Sequence, residues 1–178
     1  MKKNIKSLIK VVLIVLVTVV VFKFVVIPVR IEGNSMNDTL EDEDIALMQA
    51  IGVTESSIAR FDIVVINSSE LHEKIIKRVI GLPGETIEYK DDKLYVNGKY
   101  VAEDFLDQSF MEQQKKTYSS ENFTKDFKVT LSKGQFFVLG DNRLNSTDSR
   151  ALGAFTISDI VGKEGILIFP LNRMKLMD

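Results

Sequence analysis

Three short stretches hold the residue types that could do chemistry. Ser35 lies in EGNSMNDTL, Glu32–Leu40, where Gly33 permits a positive φ and Asn34, Asn37 and Asp38 favour turns. Lys77 lies in KIIKRVIGLPGE, Lys74–Glu85, among Ile and Val. The third stretch, GDNRLNSTDSR at Gly140–Arg150, alternates Asp, Arg and hydroxyl residues. A serine in a tight turn becomes a nucleophile when a base stands beside it. The chain has no cysteine, and its one histidine, His72, sits in the polar run Ser68–Lys74. The base for such a serine therefore has to be something else, and a lysine neutralised by burial is the main substitute.

Each stretch also has a plain reading. Ser35 fits an ordinary polar turn, Lys77 fits a surface lysine on a half-exposed strand, and Gly140–Arg150 fits a turn-rich loop. If Lys74–Ile80 is a strand, alternation puts Lys77 on one face with Ile75 and Val79, and Arg78 on the other with Ile76 and Ile80. Burial there disfavours the ammonium and lowers its pKa, which suits a base. The Gly140–Arg150 loop fails as a calcium loop. Counted from Asp141, its sixth position is Ser146 rather than Gly and its twelfth is Leu152 rather than Glu. Asp–Arg pairs within it could instead lock the loop bidentately.

The elements that must position these residues follow from patterning. Leu8–Val29 is almost wholly apolar, about 33 Å as a helix, and predicts a membrane span, with Pro28 at its exit. Lys2, Lys3, Lys6 and Lys10 lie on its N-terminal side, and acids from Glu32 to Asp44 follow it. This bias puts the N-terminus in the cytoplasm and the rest outside. The competing reading is a cleaved signal peptide, but Phe24, Ile27 and Arg30 stand where a small-x-small cleavage site would fall. The remainder reads as short strands: Asp44–Met48, Asp62–Ile66, Lys74–Ile80, Thr86–Tyr89, Lys93–Val96, Phe127–Leu131, Gln135–Leu139 and Ile160–Phe169. Asp91-Asp92 and Asn97-Gly98 read as hairpin turns, and Ala102–Lys128 as a poorly patterned polar excursion. A net charge of −2 over 178 residues gives no case for nucleic-acid binding.

The order of an anchor, GNSMNDTL, IIKRVIGLPGE and GDNRLNSTDSR resembles the type I signal peptidases of Gram-positive type. These are membrane-anchored Ser/Lys endopeptidases that release exported preproteins from their signal peptides at Ala-x-Ala sites. The resemblance covers nearly the whole chain. It implies Ser35 as nucleophile, Lys77 as general base and Ser146 orienting the lysine amine, with Asp141, Arg143, Asp148 and Arg150 as supports. It implies a mainly β fold: residues 1–7 in the cytoplasm, 8–29 as anchor, 30–85 and 133–178 as an extracytoplasmic antiparallel catalytic domain, and 86–132 as an inserted β-rich cap. No metal or cofactor is implied, the partners are preproteins and the phospholipid membrane, and the enzyme is expected to be monomeric. A different implication comes from relatives that have lost the catalytic pair and act as assembly factors for surface pili.

Two positions depart from the family pattern. Asp38 stands where the serine motif usually has proline, which would loosen the turn by about 0.5–1 kcal/mol and put an acid near the site. Gly33 stands where some members carry a serine hydroxyl for the oxyanion, so that role would pass to backbone N–H groups, notably that of Ser35. Met36, next to the serine, would dip into the lipid surface.

Overall fold

The computed structural model describes residues 2–177. It begins with α1, Lys2–Val25, followed directly by β1, Val26–Arg30. The expected span of 8–29 is therefore corrected at its C-terminal end. Val26–Arg30 pair antiparallel with β2, Ile45–Gln49, and apolar continuity alone could not mark that change. Pro28 is tolerated in β1 because the strand stands at the edge of its sheet, where one N–H is dispensable. Among the described residues no helix is long and apolar enough to cross a membrane. Side chains at 2–6, 8 and 20–24 lie outside those described, including Lys2, Lys3, Lys6 and Lys23. Of those described on α1, Ile9 and Val11–Val17 are exposed all round the helix.

Beyond β2 come β3, Ile63–Ser68; β4, Glu73–Gly81; β5, Thr86–Lys90; β6, Lys93–Val96; and β7, Lys99–Val101. Helix α2, Gln108–Thr117, precedes β8, Phe127–Thr130, and β9, Gln135–Leu139. The chain ends with α3, Ser149–Leu152; β10, Phe155–Thr156; β11, Ile160–Phe169; and β12, Lys175–Met177. They form two antiparallel sheets. The larger runs β1-β2-β11-β3-β4-β9-β10 with β12 on β11, and the smaller runs β7-β6-β5-β8.

The smaller sheet leaves the larger one at Gly81. A Cβ there would come within 2.7 Å of Ile87 and Leu131 and 3.0 Å of Phe137, so only glycine lets the two sheets approach this closely. Ile80, Ile87, Tyr89, Leu94, Val96, Leu131, Phe137 and Leu139 share one buried cluster at the join. The hairpin turns fall at Asp91-Asp92 (φ 51° and 59°) and Asn97-Gly98 (φ 51° and 78°), the double positive φ of the tightest two-residue connections.

The excursion 102–128 is more ordered than its composition suggests, because it contains α2. Asp107 caps that helix by accepting from the Phe110 N–H at 2.7 Å, and Phe110 packs edge-on against the buried Phe123.

Candidate active site

Ser35 sits in the turn that follows β1, half-buried, with Met36 and Leu40 driven into the core on either side of the exposed Asp38. Leu40 N donates to Met36 O at 2.9 Å, which closes the turn. Met36 is 1% exposed, so it is a core anchor for the serine and not a lipid contact. Gly33, at φ +80°, donates its N–H to Asp42 Oδ1 at 2.8 Å. From the far end of the chain, Lys175 Nζ donates to Thr39 O at 2.9 Å and braces the turn from behind.

Strand β4 supplies Lys77. It is a central strand, hydrogen-bonded to β3 at Glu73–Arg78 and to β9 at Arg78–Gly81, and every residue from Ile75 to Gly81 is buried, so both of its faces are covered there. Lys77 is 4% exposed, and its Nζ lies 2.8 Å from Ser35 Oγ and 2.9 Å from Ile76 O. Burial lowers the Lys77 pKa from 10.5 to about 8, against the opposing pull of Asp148, Asp141 and Glu73. Asp38 is not among the charges that act on it. The pair has the geometry a serine and its base require: hydrogen-bond contact, and an amine substantially neutral in mild alkali.

The Gly140–Arg150 loop packs against the serine turn. A Cβ on Gly140 would lie 2.4 Å from Ser35 O and 2.3 Å from Ser146 Oγ, so this glycine is required by contact. Asn142 N donates to Ser35 O at 3.0 Å. Ser146 lines the same cleft as Ser35 and Lys77. Ser146 Oγ is buried and makes no hydrogen bond to Lys77, whose second bond from Nζ goes to the Ile76 carbonyl.

The four charged supports also pair differently from a loop locked on itself. Only Asp148 and Arg150 join within the loop, at 2.8 Å to Nε and 2.7 Å to the terminal guanidinium nitrogen. Burial pushes the Asp148 carboxyl up, but Arg150 and the Gly140 N–H outweigh it and hold the acid below its ordinary value. Asp141 pairs with Arg78, the neighbour of Lys77, at 2.7 Å, and also accepts from Thr39. Arg143 donates to Gly140 O within the loop, and pairs at 2.6 Å with Glu103 from the segment leading into α2. Tyr89, whose phenol is pushed up by burial and so stays protonated, donates to Glu103 and accepts from Arg143.

Sequence reasoning missed Thr39, Arg78, Tyr89 and Glu103. Only Arg78 carried a signal, as a cation set in an apolar strand. Its guanidinium stacks over Phe105 at 4.0 Å.

Around the pair lies a cleft of about 850 Å³. Its walls are Ile27–Met36 on one side and Glu73–Lys77 on the other, with Leu144–Thr147 at the Ser35 end. Both walls are strand edges. β1 ends its sheet, and β9 pairs with β4 only from Arg78 onward, leaving Glu73–Lys77 without a strand on that side among the described residues.

The family model described as signal peptidase, peptidase S26, matches residues 4–169. Signal peptidase I P of Bacillus subtilis subsp. natto is 41% identical over 178 residues, covering 98% of this chain and 94% of its own. Signal peptidase I V of Bacillus subtilis (strain 168) is 43% identical over 169 residues, covering 91% of this chain and 96% of its own. The crystal structure of a signal peptidase I from Enterococcus faecalis V583 is 39% identical, with a TM-score of 0.51. That match covers 60% of this chain and 95% of the solved one.

Proposed function

The chain belongs to the signal peptidase family, peptidase S26, and from that premise we propose how its cleft cuts signal peptides from exported preproteins. The protein is a signal peptidase I, acting as a serine endopeptidase through Ser35 and Lys77. The observation that carries this reading is the 2.8 Å contact between Lys77 Nζ and Ser35 Oγ in a site where the lysine is almost wholly buried. It favours a peptidase over the noncatalytic assembly factor, which would need no neutral lysine against a serine.

The cleavage region of the signal peptide lies extended in the cleft and adds main-chain hydrogen bonds to the free edges of β1 and Glu73–Lys77. Alternate side chains of an extended peptide point the same way, so positions −1 and −3 meet one wall. Ile31, Met36 and Ile76 line the cleft and belong to one close-packed buried cluster, a wall that admits only small side chains and so selects Ala-x-Ala.

Neutral Lys77 takes the proton of Ser35 as Oγ bonds to the scissile carbonyl carbon. The oxyanion is met by the Ser35 N–H. As the C–N bond breaks, Lys77 returns the proton to the departing amine of the mature protein. It then takes a proton from the water that attacks the acyl ester and passes it to Ser35 Oγ as the ester bond breaks, so Ser35 leaves as the free hydroxyl, Lys77 is again neutral and the signal peptide is released as a carboxylic acid. Asp148–Arg150, Asp141–Arg78 and Arg143–Glu103 hold the loop and strand in register without touching the reacting atoms.

The exposure of Ile9 and Val11–Val17 on all sides of α1 supports an anchor, since a helix apolar all round is matched by lipid and not by water. Enzyme and substrate would then share the cytoplasmic membrane, with the N-terminus inside and a monomeric catalytic domain outside. The test is cleavage of an Ala-x-Ala preprotein by the full-length protein in detergent, with the cut site read by mass spectrometry. Cleavage after the second Ala, lost in a folded Ser35→Ala variant, is the expected outcome. Cleavage retained in that variant, or none by the wild type, would overturn the reading.

A further inference from the structure

The catalytic cleft does not stop at Leu144–Thr147. On the far side of that loop lies a second groove of about 790 Å³, between the loop and residues 118–129 of the smaller sheet's region. Leu144 and Ser146 line both cavities, so the second begins where the first ends, beside Ser35. Its floor includes Phe127 and Val129 of β8, which is the edge strand of the smaller sheet.

We propose that this groove is the binding site for the first residues of the mature protein, held as an extended strand beyond the scissile bond with a preference for an acidic side chain. The inference rests on the peptidase reading, because it takes the cleft as the seat of the signal-peptide side.

Three observations support the proposal. A peptide with its −1 residue at Ser35 and its signal-peptide side along β1 and β4 has to leave across Leu144–Ser146, where this groove opens. An edge strand is an unfilled main-chain template, and it recognises extended peptides whatever their sequence. That tolerance suits a site that has to accept many mature N-termini.

The charge at the rim sets the preference. Arg143 is neutralised by Glu103 and Arg150 by Asp148. Lys125 is exposed and carries no ion pair among the described residues; the neighbouring Asp126 keeps its charge, with one carboxylate oxygen held by the Asp91 N–H and the Asn122 amide. A carboxylate a few residues past the cut would find Lys125 free, and a lysine there would meet a like charge.

The test uses the full-length protein in detergent and peptides that share one Ala-x-Ala signal side. One series extends two, four or eight residues past the cut, and a second pair of eight-residue extensions carries Glu or Lys at the third and fourth positions. Wild-type kcat/KM is expected to rise about tenfold from two to eight residues. The Glu peptide is expected to be cut about three- to fivefold better than the Lys peptide, the scale of one exposed charge pair. Lys125→Glu should invert that preference, and added salt should shrink it in both proteins.

Equal kcat/KM across the length series, or a Glu-to-Lys ratio unchanged by Lys125→Glu, overturns the groove while correct cleavage leaves the peptidase standing. No cleavage of any peptide by the wild type removes the peptidase reading and the groove with it.

Discussion

A lysine that water barely reaches gives up its proton more readily than an exposed one, and Lys77 is held in such a place beside the Ser35 hydroxyl. Alternation along Lys74–Ile80 was enough to suggest its burial. That Lys77 Nζ bonds the Ile76 carbonyl and not Ser146 was beyond sequence, because it depends on hydroxyl placement within a packed loop. The pKa near 8 has a consequence for stability with a definite sign. Below pH 8 the lysine is charged both folded and unfolded, and the folded state carries the full desolvation penalty, about 3 kcal/mol. Between pH 8 and 10.5 the folded lysine is neutral while the unfolded one still binds its proton, so stability rises with pH. Lys77→Met is therefore expected to be inactive yet about 2 kcal/mol more stable than the wild type at pH 7, with the gap closing by pH 10.5. Chemical unfolding of both proteins across that range checks it, and a gap independent of pH would contradict it.

At the scale of elements, the site depends on the smaller sheet more than its place outside the cleft suggests. Glu103 and Phe105, just before α2, hold the two buried arginines nearest the Ser35–Lys77 contact: Arg143 in the loop and Arg78 beside Lys77. This was illegible in the sequence because α2 buries only Met111, which leaves almost no helical periodicity to read. β1 was hidden for the opposite reason, since an apolar run that continues from helix into strand shows no change of composition. Eight other strands were legible because Gly, Asn and Asp punctuate them, whereas β7, β10 and β12, of two or three residues each, are too short to show alternation. Glu103→Gln leaves a buried guanidinium uncompensated and is expected to destabilise the domain by about 3–5 kcal/mol, measured by unfolding in detergent. A loss below 1 kcal/mol would mean that Arg143 finds another partner.

For the whole molecule, the notable relation is the absence of a linker. α1 ends at Val25, and two residues later Ile27 already walls the cleft. If α1 is the anchor, the cleft opens at the membrane surface, where a signal peptide emerges, and the search for substrate becomes two-dimensional. Full-length protein reconstituted with a preprotein in the same vesicles is expected to cut it at least about tenfold faster than when the two occupy separate vesicles. Equal rates would argue against the anchor. The central claim, that buried Lys77 is the base for Ser35, is tested most directly by kcat/KM against pH on a short Ala-x-Ala peptide. The account predicts a rate that climbs about tenfold per pH unit from pH 6 and levels off near pH 8. A flat profile from pH 6 to 10, or a midpoint at the ordinary lysine value of 10.5, would contradict it.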